Sequence, residues 1–287
     1  MIPKLNILYE DDEILVCVKP AGTPCQNDKS GAYDLCNLIR NHLSKTSNHG
    51  IPYVGIIHRL DRPVGGVMVY AKTPSAAAYL SKTVKLHSER PNDDSIVFDK
   101  KYTAVLCQVI ENDKIQNNQV IEKESIQHNY PVTGTLEDYI KKDAKNNQSV
   151  VTDAKDREGQ YCKLSYEIKD ELLIPTSENY KLLLQKAEIA LQTGRHHQIR
   201  IQCARHLSGL WADSKYHPVF QNKNYDYRRS EANLTKWYEA CHDHKCPKLS
   251  VRNVALFSHS LTFPHPVTKE KLTFEAPPSG SVFALFE

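Results

Sequence analysis

The 287-residue chain has no run of about 18 apolar residues, the least that a membrane-spanning helix needs. Its opening, Met1-Ile2-Pro3-Lys4-Leu5-Asn6, lacks the apolar core of a secretory signal. No glycine pattern of the G-x-G-x-x-G or phosphate-loop kind occurs, which removes two common nucleotide-cradling motifs. There is no internal repeat and no low-complexity block. Neither sign of charge dominates: 37 Lys and Arg face 34 Asp and Glu, a formal charge of +3. Nucleic-acid binders are often more basic, so a phosphate-binding surface would have to be a local patch balanced by acids elsewhere. Six of the eight cysteines are scattered without framework spacing, and are expected to be reduced thiols in a cytoplasmic protein. The other two bound Cys241-His242-Asp243-His244-Lys245-Cys246, which holds four possible zinc ligands within six residues. Tetrahedral zinc sites draw ligand pairs from two separate segments, so a solvated reduced loop is the better reading and no metal is expected.

What is present looks like an ordinary globular composition, with 40% hydrophobic and 25% charged residues. Ile7-Leu8-Tyr9 and Ile14-Leu15-Val16-Cys17-Val18 are β-type runs joined by the polar turn Glu10-Asp11-Asp12-Glu13. Lys19-Pro20-Ala21-Gly22 breaks the second run. Leu35, Leu38, Ile39 and Leu43 recur at helical spacing over 33–45. Ile56-Ile57 and Val67-Met68-Val69-Tyr70 predict short buried strands. Thr73-Pro74 opens a helix to about Leu86, since Thr caps and Pro suits the first helical position. Strands are expected over Tyr102 to Ile110, Cys162 to Ile168 and Tyr180 to Leu191, then a helix from His196 to Leu207. Val254–Phe257, Leu261–Phe263 and Leu272–Phe274 close the chain as three strands. The polar stretches 111–160 and 214–250 read as loops, small strands or insertions. Strands outnumber helices, which predicts an α+β fold: a mostly antiparallel mixed sheet with flanking helices, in a single domain over 1–287.

Two stretches carry chemistry. In Gly55-Ile56-Ile57-His58-Arg59-Leu60-Asp61-Arg62-Pro63-Val64-Gly65-Gly66, one carboxylate stands among His58, Arg59 and Arg62. Such a loop is usually a salt-bridged surface turn. Here it leaves one buried strand and enters another, a rigid support that suits a site. Gly65-Gly66 permits a close backbone approach or a positive φ. In Leu191-Gln192-Thr193-Gly194-Arg195-His196-His197-Gln198-Ile199-Arg200-Ile201, Thr193-Gly194 can end a strand and open a helix. Arg195 and the first backbone N–H groups would then face solvent or an anion, with Arg200 one turn on. Alone, this stretch reads as a basic helix face.

Together the two stretches resemble the RluA family of RNA pseudouridine synthases. That family carries H-R-L-D before a glycine-rich strand, and later T-G-R-x-H-Q-[IL]-R; both occur here in order. Tyr9-Glu10-Asp11-Asp12 with Lys19-Pro20-Ala21-Gly22, Lys101-Tyr102-Thr103-Ala104, and Phe263-Pro264-His265-Pro266-Val267-Thr268 extend the likeness from about residue 5 to 280. Five ordered motifs do not coincide by chance. Ala212 departs from the family's frequent Gly, and Gln202 stands where His is usual. The small S4 RNA-binding module that precedes some relatives is expected to be absent.

The resemblance implies a pseudouridine synthase fold and a reaction on uridine in ribosomal or transfer RNA. The base is detached at its N-glycosidic bond, turned, and rejoined through carbon 5, with no cofactor. The C1′ centre gains positive character, and an ionised carboxylate stabilises or traps it. The resemblance assigns that role to Asp61, leaving open whether it attacks sugar or base or removes a sugar proton. It gives Arg200 as the guanidinium that keeps Asp61 charged, and Tyr102 as the ring that stacks on uracil. Arg59 is the candidate to fill the gap left by the flipped base. Lys19, Arg62, Arg195 and His197 are further candidates for phosphate or rim contacts. The chain is expected to be a monomer away from membranes. A nucleoside or glycoside hydrolase would call for a second catalytic carboxylate, which neither motif supplies. An RNA-binding protein without catalysis would have no use for Asp61, Tyr102 and Arg200 together.

Overall fold

The computed structural model describes residues 4–28, 33–45, 50–90, 93, 95–111, 130–175, 180–221 and 251–287. The Cys241–Cys246 stretch and much of the two polar stretches lie outside these residues. The described elements are β1 (Asn6–Glu10), β2 (Ile14–Lys19), α1 (Leu35–Leu43), β3 (Gly55–Ile56), β4 (Gly65–Ala71), α2 (Pro74–Glu89) and β5 (Asp99–Glu111). There follow β6 (Thr133–Asp143), β7 (Gln148–Thr152), β8 (Gln160–Pro175), β9 (Tyr180–Leu191), α3 (Gln198–His206), α4 (Pro218–Gln221), β10 (Leu256–Pro264) and β11 (Lys271–Glu275).

The chain divides into two compact units. The first holds Met1–Thr103, Ala190–Gly194 and Leu256–Pro278; the second holds Ala104–Ile189, Arg195–Ala255 and Ser279–Glu287. In the first unit the strands lie in the order β1-β2-β4-β10, with β3 added to β4 and β11 to β10. The β1–β2 turn forms because the Asp11 carboxylate accepts the backbone N–H groups of Glu13 and Ile14, each at 2.8 Å. Thr73 caps α2 by accepting from the Ala76 N–H at 3.1 Å, with Pro74 in the first turn, as the sequence predicts. Alternation along the strands puts Ile14, Val16, Val67 and Val69 on one face, against Ala76 and Leu80 of α2 and the rings of Phe98 and Phe263. Each large aliphatic or aromatic side chain buried this way contributes about 1.5–3 kcal/mol.

The second unit runs β9-β8-β6-β7. Helix α3 packs there, with Ile201 against Ile140 of β6 and Cys162 of β8. Gln202, where the family often has His, is fully buried and satisfied: it donates to Asp138 at 2.8 Å and accepts from Gln198 at 3.1 Å.

The fold is α+β with a mixed sheet. The registered pairings are antiparallel except β4 with β10, which is parallel. Two expectations need correction. The separate strands over Val254–Phe257 and Leu261–Phe263 are one strand, β10, running through Ser258-His259-Ser260. The polar residues interrupt the hydrophobic pattern but not the ladder, because Ser258 and Ser260 are buried and the His259 ring bonds Thr103 at 3.1 Å. Helix α3 begins at Gln198 rather than His196, because His197 has a φ of 53° and cannot continue a right-handed turn. The six described cysteines are free, buried thiols. No helix among the described residues is long and apolar enough to cross a membrane.

Candidate active site

In the first unit, Asp61 sits half-buried in the connection from β3 to β4. Its carbonyl accepts from the Val64 N–H at 3.0 Å, closing a turn just before the strand. The loop is held by hydrogen bonds on both sides of the carboxylate. The Cys25 thiol donates to the Leu60 carbonyl at 3.1 Å. Gly22 donates to the Arg62 carbonyl at 2.7 Å, and the Arg62 Nε returns a bond to the Gly22 carbonyl at 3.1 Å.

Lys19 ties the same segments. Its ammonium is 0% exposed and donates to the carbonyls of Pro20, Thr23 and Arg62 at 3.2, 2.6 and 3.1 Å. Burial lowers its pKa to about 8, while the Cys25 thiol and the Asp61 carboxylate nearby oppose the shift. The side chain expected at the RNA surface therefore spends its donors tying the turn after β2 to the loop that carries Asp61.

Both readings of Gly65-Gly66 hold. A Cβ on Gly65 would press on the Phe257 ring at 3.1 Å. Gly66 has a φ of 134°, and a Cβ there would collide with the backbone of Ser258. Only glycine lets β4 leave the Asp61 loop and lie alongside β10 in parallel register, Phe257 opposite Gly65.

Tyr102 is buried in β5. Burial pushes its phenol well above the ordinary value; the neighbouring Ser258 hydroxyl opposes this and the Asp61 charge adds to it. Its hydroxyl therefore stays protonated at neutral pH. His58 opens the H-R-L-D run. Its Nε2 accepts from the Val69 N–H at 3.3 Å, a strand donor that β3 stops short of reaching. Burial, aided by the Lys100 charge, lowers the His58 pKa to about 3, so the ring is neutral. Arg59 and Arg62 are exposed, and Arg62 also lies 3.5 Å from Asp28. Arg59 forms no hydrogen bond or ion pair with another described residue.

In the second unit, Arg200 is 3% exposed and grips Asp213 through Nε to Oδ2 at 2.8 Å and Nη2 to Oδ1 at 2.7 Å. Its guanidinium lies 5.3 Å from the centre of the Tyr216 ring. The Tyr216 hydroxyl bonds His197 Nδ1 at 2.8 Å and accepts from the Ser149 N–H at 2.6 Å. His197, expected at the rim, is buried and stacks on His196 at 3.8 Å. Arg195 is half-buried, its Nε donating to the Tyr161 carbonyl at 3.1 Å.

Sequence reading gave no contacts to Ser258, Asp213 or Tyr216. Ser258 fell in a polar gap between two supposed strands. Asp213 and Tyr216 followed helix α3 in a stretch without periodicity, where only the chain's return could reveal their contact with Arg200.

The mixed sheet has the fold of solved pseudouridylate synthase domains. The solved human RNA pseudouridylate synthase domain containing 4 superposes with a TM-score of 0.61 at 17% identity, over 98% of this chain and 90% of that one. The human domain containing 1 gives 0.59 at 15% identity, over 96% and 86%. The family model described as RNA pseudouridylate synthase matches residues 13–205, and the chain belongs to that family. A ribosomal large subunit pseudouridine synthase D from Neisseria meningitidis serogroup B is 27% identical over 98% of this chain and 60% of its own length. The tRNA pseudouridine synthase C of Haemophilus ducreyi is 26% identical over 95% of this chain and 90% of its own length. The chain thus spans less than two thirds of the former.

Proposed function

We propose that the chain isomerises uridines in ribosomal or transfer RNA to pseudouridine, with Asp61 as its catalytic carboxylate. The observation that carries the reading is the fixed setting of Asp61. The buried Lys19 ammonium, the Cys25 thiol and the Gly22–Arg62 pair restrain the backbone on both sides of it. A charge used to stabilise a transient cationic sugar must be in place before the charge develops, and a rigid loop does this without reorganisation.

In this reading Tyr102 stacks on the uracil and offers its hydroxyl as a donor, and Arg200 completes the catalytic set. Arg59 and Arg62 meet the RNA from the Asp61 loop, and Arg195 from the second unit. The direct RNA role first expected of Lys19 and His197 passes to loop and helix anchoring, since their polar atoms are engaged within the protein. The names of the Neisseria and Haemophilus relatives support ribosomal or transfer RNA as substrate. The reading takes residues 1–287 as a single catalytic domain, acting as a cytoplasmic monomer without a cofactor.

The test is incubation with uridine-containing RNA, digestion, and separation of the nucleosides. Pseudouridine, with the mass of uridine, is the expected product. Free uracil would assign a hydrolase, and unchanged RNA a binding protein.

A further inference from the structure

The second unit carries a groove of about 340 Å³. We propose that this groove, built on β6, β7 and the Arg195-His196 segment, binds backbone phosphates of the RNA substrate. The inference rests on the synthase reading and extends it from the reacting uridine to the phosphates of the same RNA.

The groove's cations come from two directions. On β6, alternation puts Ile140 and Lys142 on one face, and Lys142 is paired in register with Ser149 of β7. The Ser149 hydroxyl donates to the His196 carbonyl at 2.6 Å, which fastens the Arg195-His196 segment against β7. Arg195 is held by its Nε bond to Tyr161, which fixes the guanidinium while leaving its Nη donors without a bond to any described residue. It has no acidic partner among the described residues. Lys142 is exposed and likewise forms no ion pair with a described residue.

Two carboxylates also bear on the groove. Asp156 takes up Lys141 at 2.7 Å, and Glu158 stands on the edge near that lysine. Lys142 and Arg195 remain as the uncommitted charges. An anchored guanidinium fork matches phosphate oxygens bidentately, and a lysine adds a mobile point charge. The remaining walls are polar, with Ser149 and Gln160, and Ile140 is the apolar exception. Such walls suit a sugar–phosphate strand. An acidic peptide would want apolar recesses for its other side chains.

The experiment measures the Kd for labelled bulk transfer RNA over a series of KCl concentrations. It compares wild type with Lys142→Gln, Arg195→Gln and the control Lys85→Gln on α2. Each of the two groove variants should bind several-fold more weakly. Each should also make log K against log salt shallower by about 0.7–0.9 for every phosphate no longer neutralised. Lys85→Gln should leave the slope as in wild type. Slopes equal to the control for both groove variants would overturn the proposal. So would a weakening that appears with polyglutamate but not with RNA. Because Lys142 is exposed, its variant tests the groove even if Arg195→Gln fails to fold. If the slopes shift in a protein that forms no pseudouridine, the groove stands and the catalytic reading alone falls.

Discussion

Arg200 and Asp213 are joined by two parallel hydrogen bonds of 2.8 and 2.7 Å, both side chains almost wholly out of water. Such a fork sets the plane of the guanidinium as well as its position. Removing one partner strands the other charge in a low-dielectric interior. Asp213→Asn should therefore lower stability by about 3 kcal/mol, read as a fall in the urea midpoint at unchanged slope. A loss below about 1 kcal/mol would mean that the pair does little to hold α3.

One residue earlier, Ala212 has a φ of 61°. A Cβ in that region costs about 1–2 kcal/mol, and glycine escapes the cost. The family's frequent glycine at this place thus has a backbone reason. Ala212→Gly should raise stability by about 1 kcal/mol, less what glycine adds to the freedom of the unfolded chain. Destabilisation on chemical denaturation would show that the methyl packs better than its φ suggests.

His58 gives stability a pH dependence of known sign. Unfolded, it takes up a proton below about pH 6.5; folded, burial delays protonation to about pH 3. Across that window the unfolded state binds more protons, so stability falls as the pH drops from 6.5 toward 3. His58→Gln keeps an acceptor for Val69 but cannot titrate. Its stability should fall less steeply over the same range than that of wild type. Parallel curves from denaturation at each pH would assign the slope to other groups.

How much could be read beforehand depended on whether the cause was local. The cap at Thr73, the β1–β2 turn and the need for glycine at 65 and 66 were legible because each follows from neighbouring residues. The burial of Lys19 was not legible because the carbonyls that hold it come partly from Arg62, far along the chain. His197 likewise gave no sign of its left-handed backbone or its bond to Tyr216. Ser258 was passed over because a polar strand residue beside Tyr102 leaves no mark in the hydrophobic pattern. Asp61 was singled out by the family motif rather than by periodicity, which gives a single carboxylate no special standing.

Arg59, exposed and unengaged among the described residues, is expected to fill the space of the extruded uridine. Extrusion costs a few kcal/mol from a stacked stem and least from a flexible strand. Arg59→Ala should therefore reduce kcat/KM far more on a structured stem-loop than on a short unstructured RNA. Equal losses on both, with a shallower salt dependence, would make Arg59 a phosphate contact instead.

The most direct test of the central claim replaces Asp61 by Asn, a nearly isosteric change that removes the charge. The measurement is pseudouridine formed per RNA over time, alongside RNA affinity and the unfolding midpoint. The expected result is a loss of at least about a thousandfold in turnover, with fold and affinity kept. Pseudouridine formation by Asp61→Asn at a large fraction of the wild-type rate would contradict the assignment.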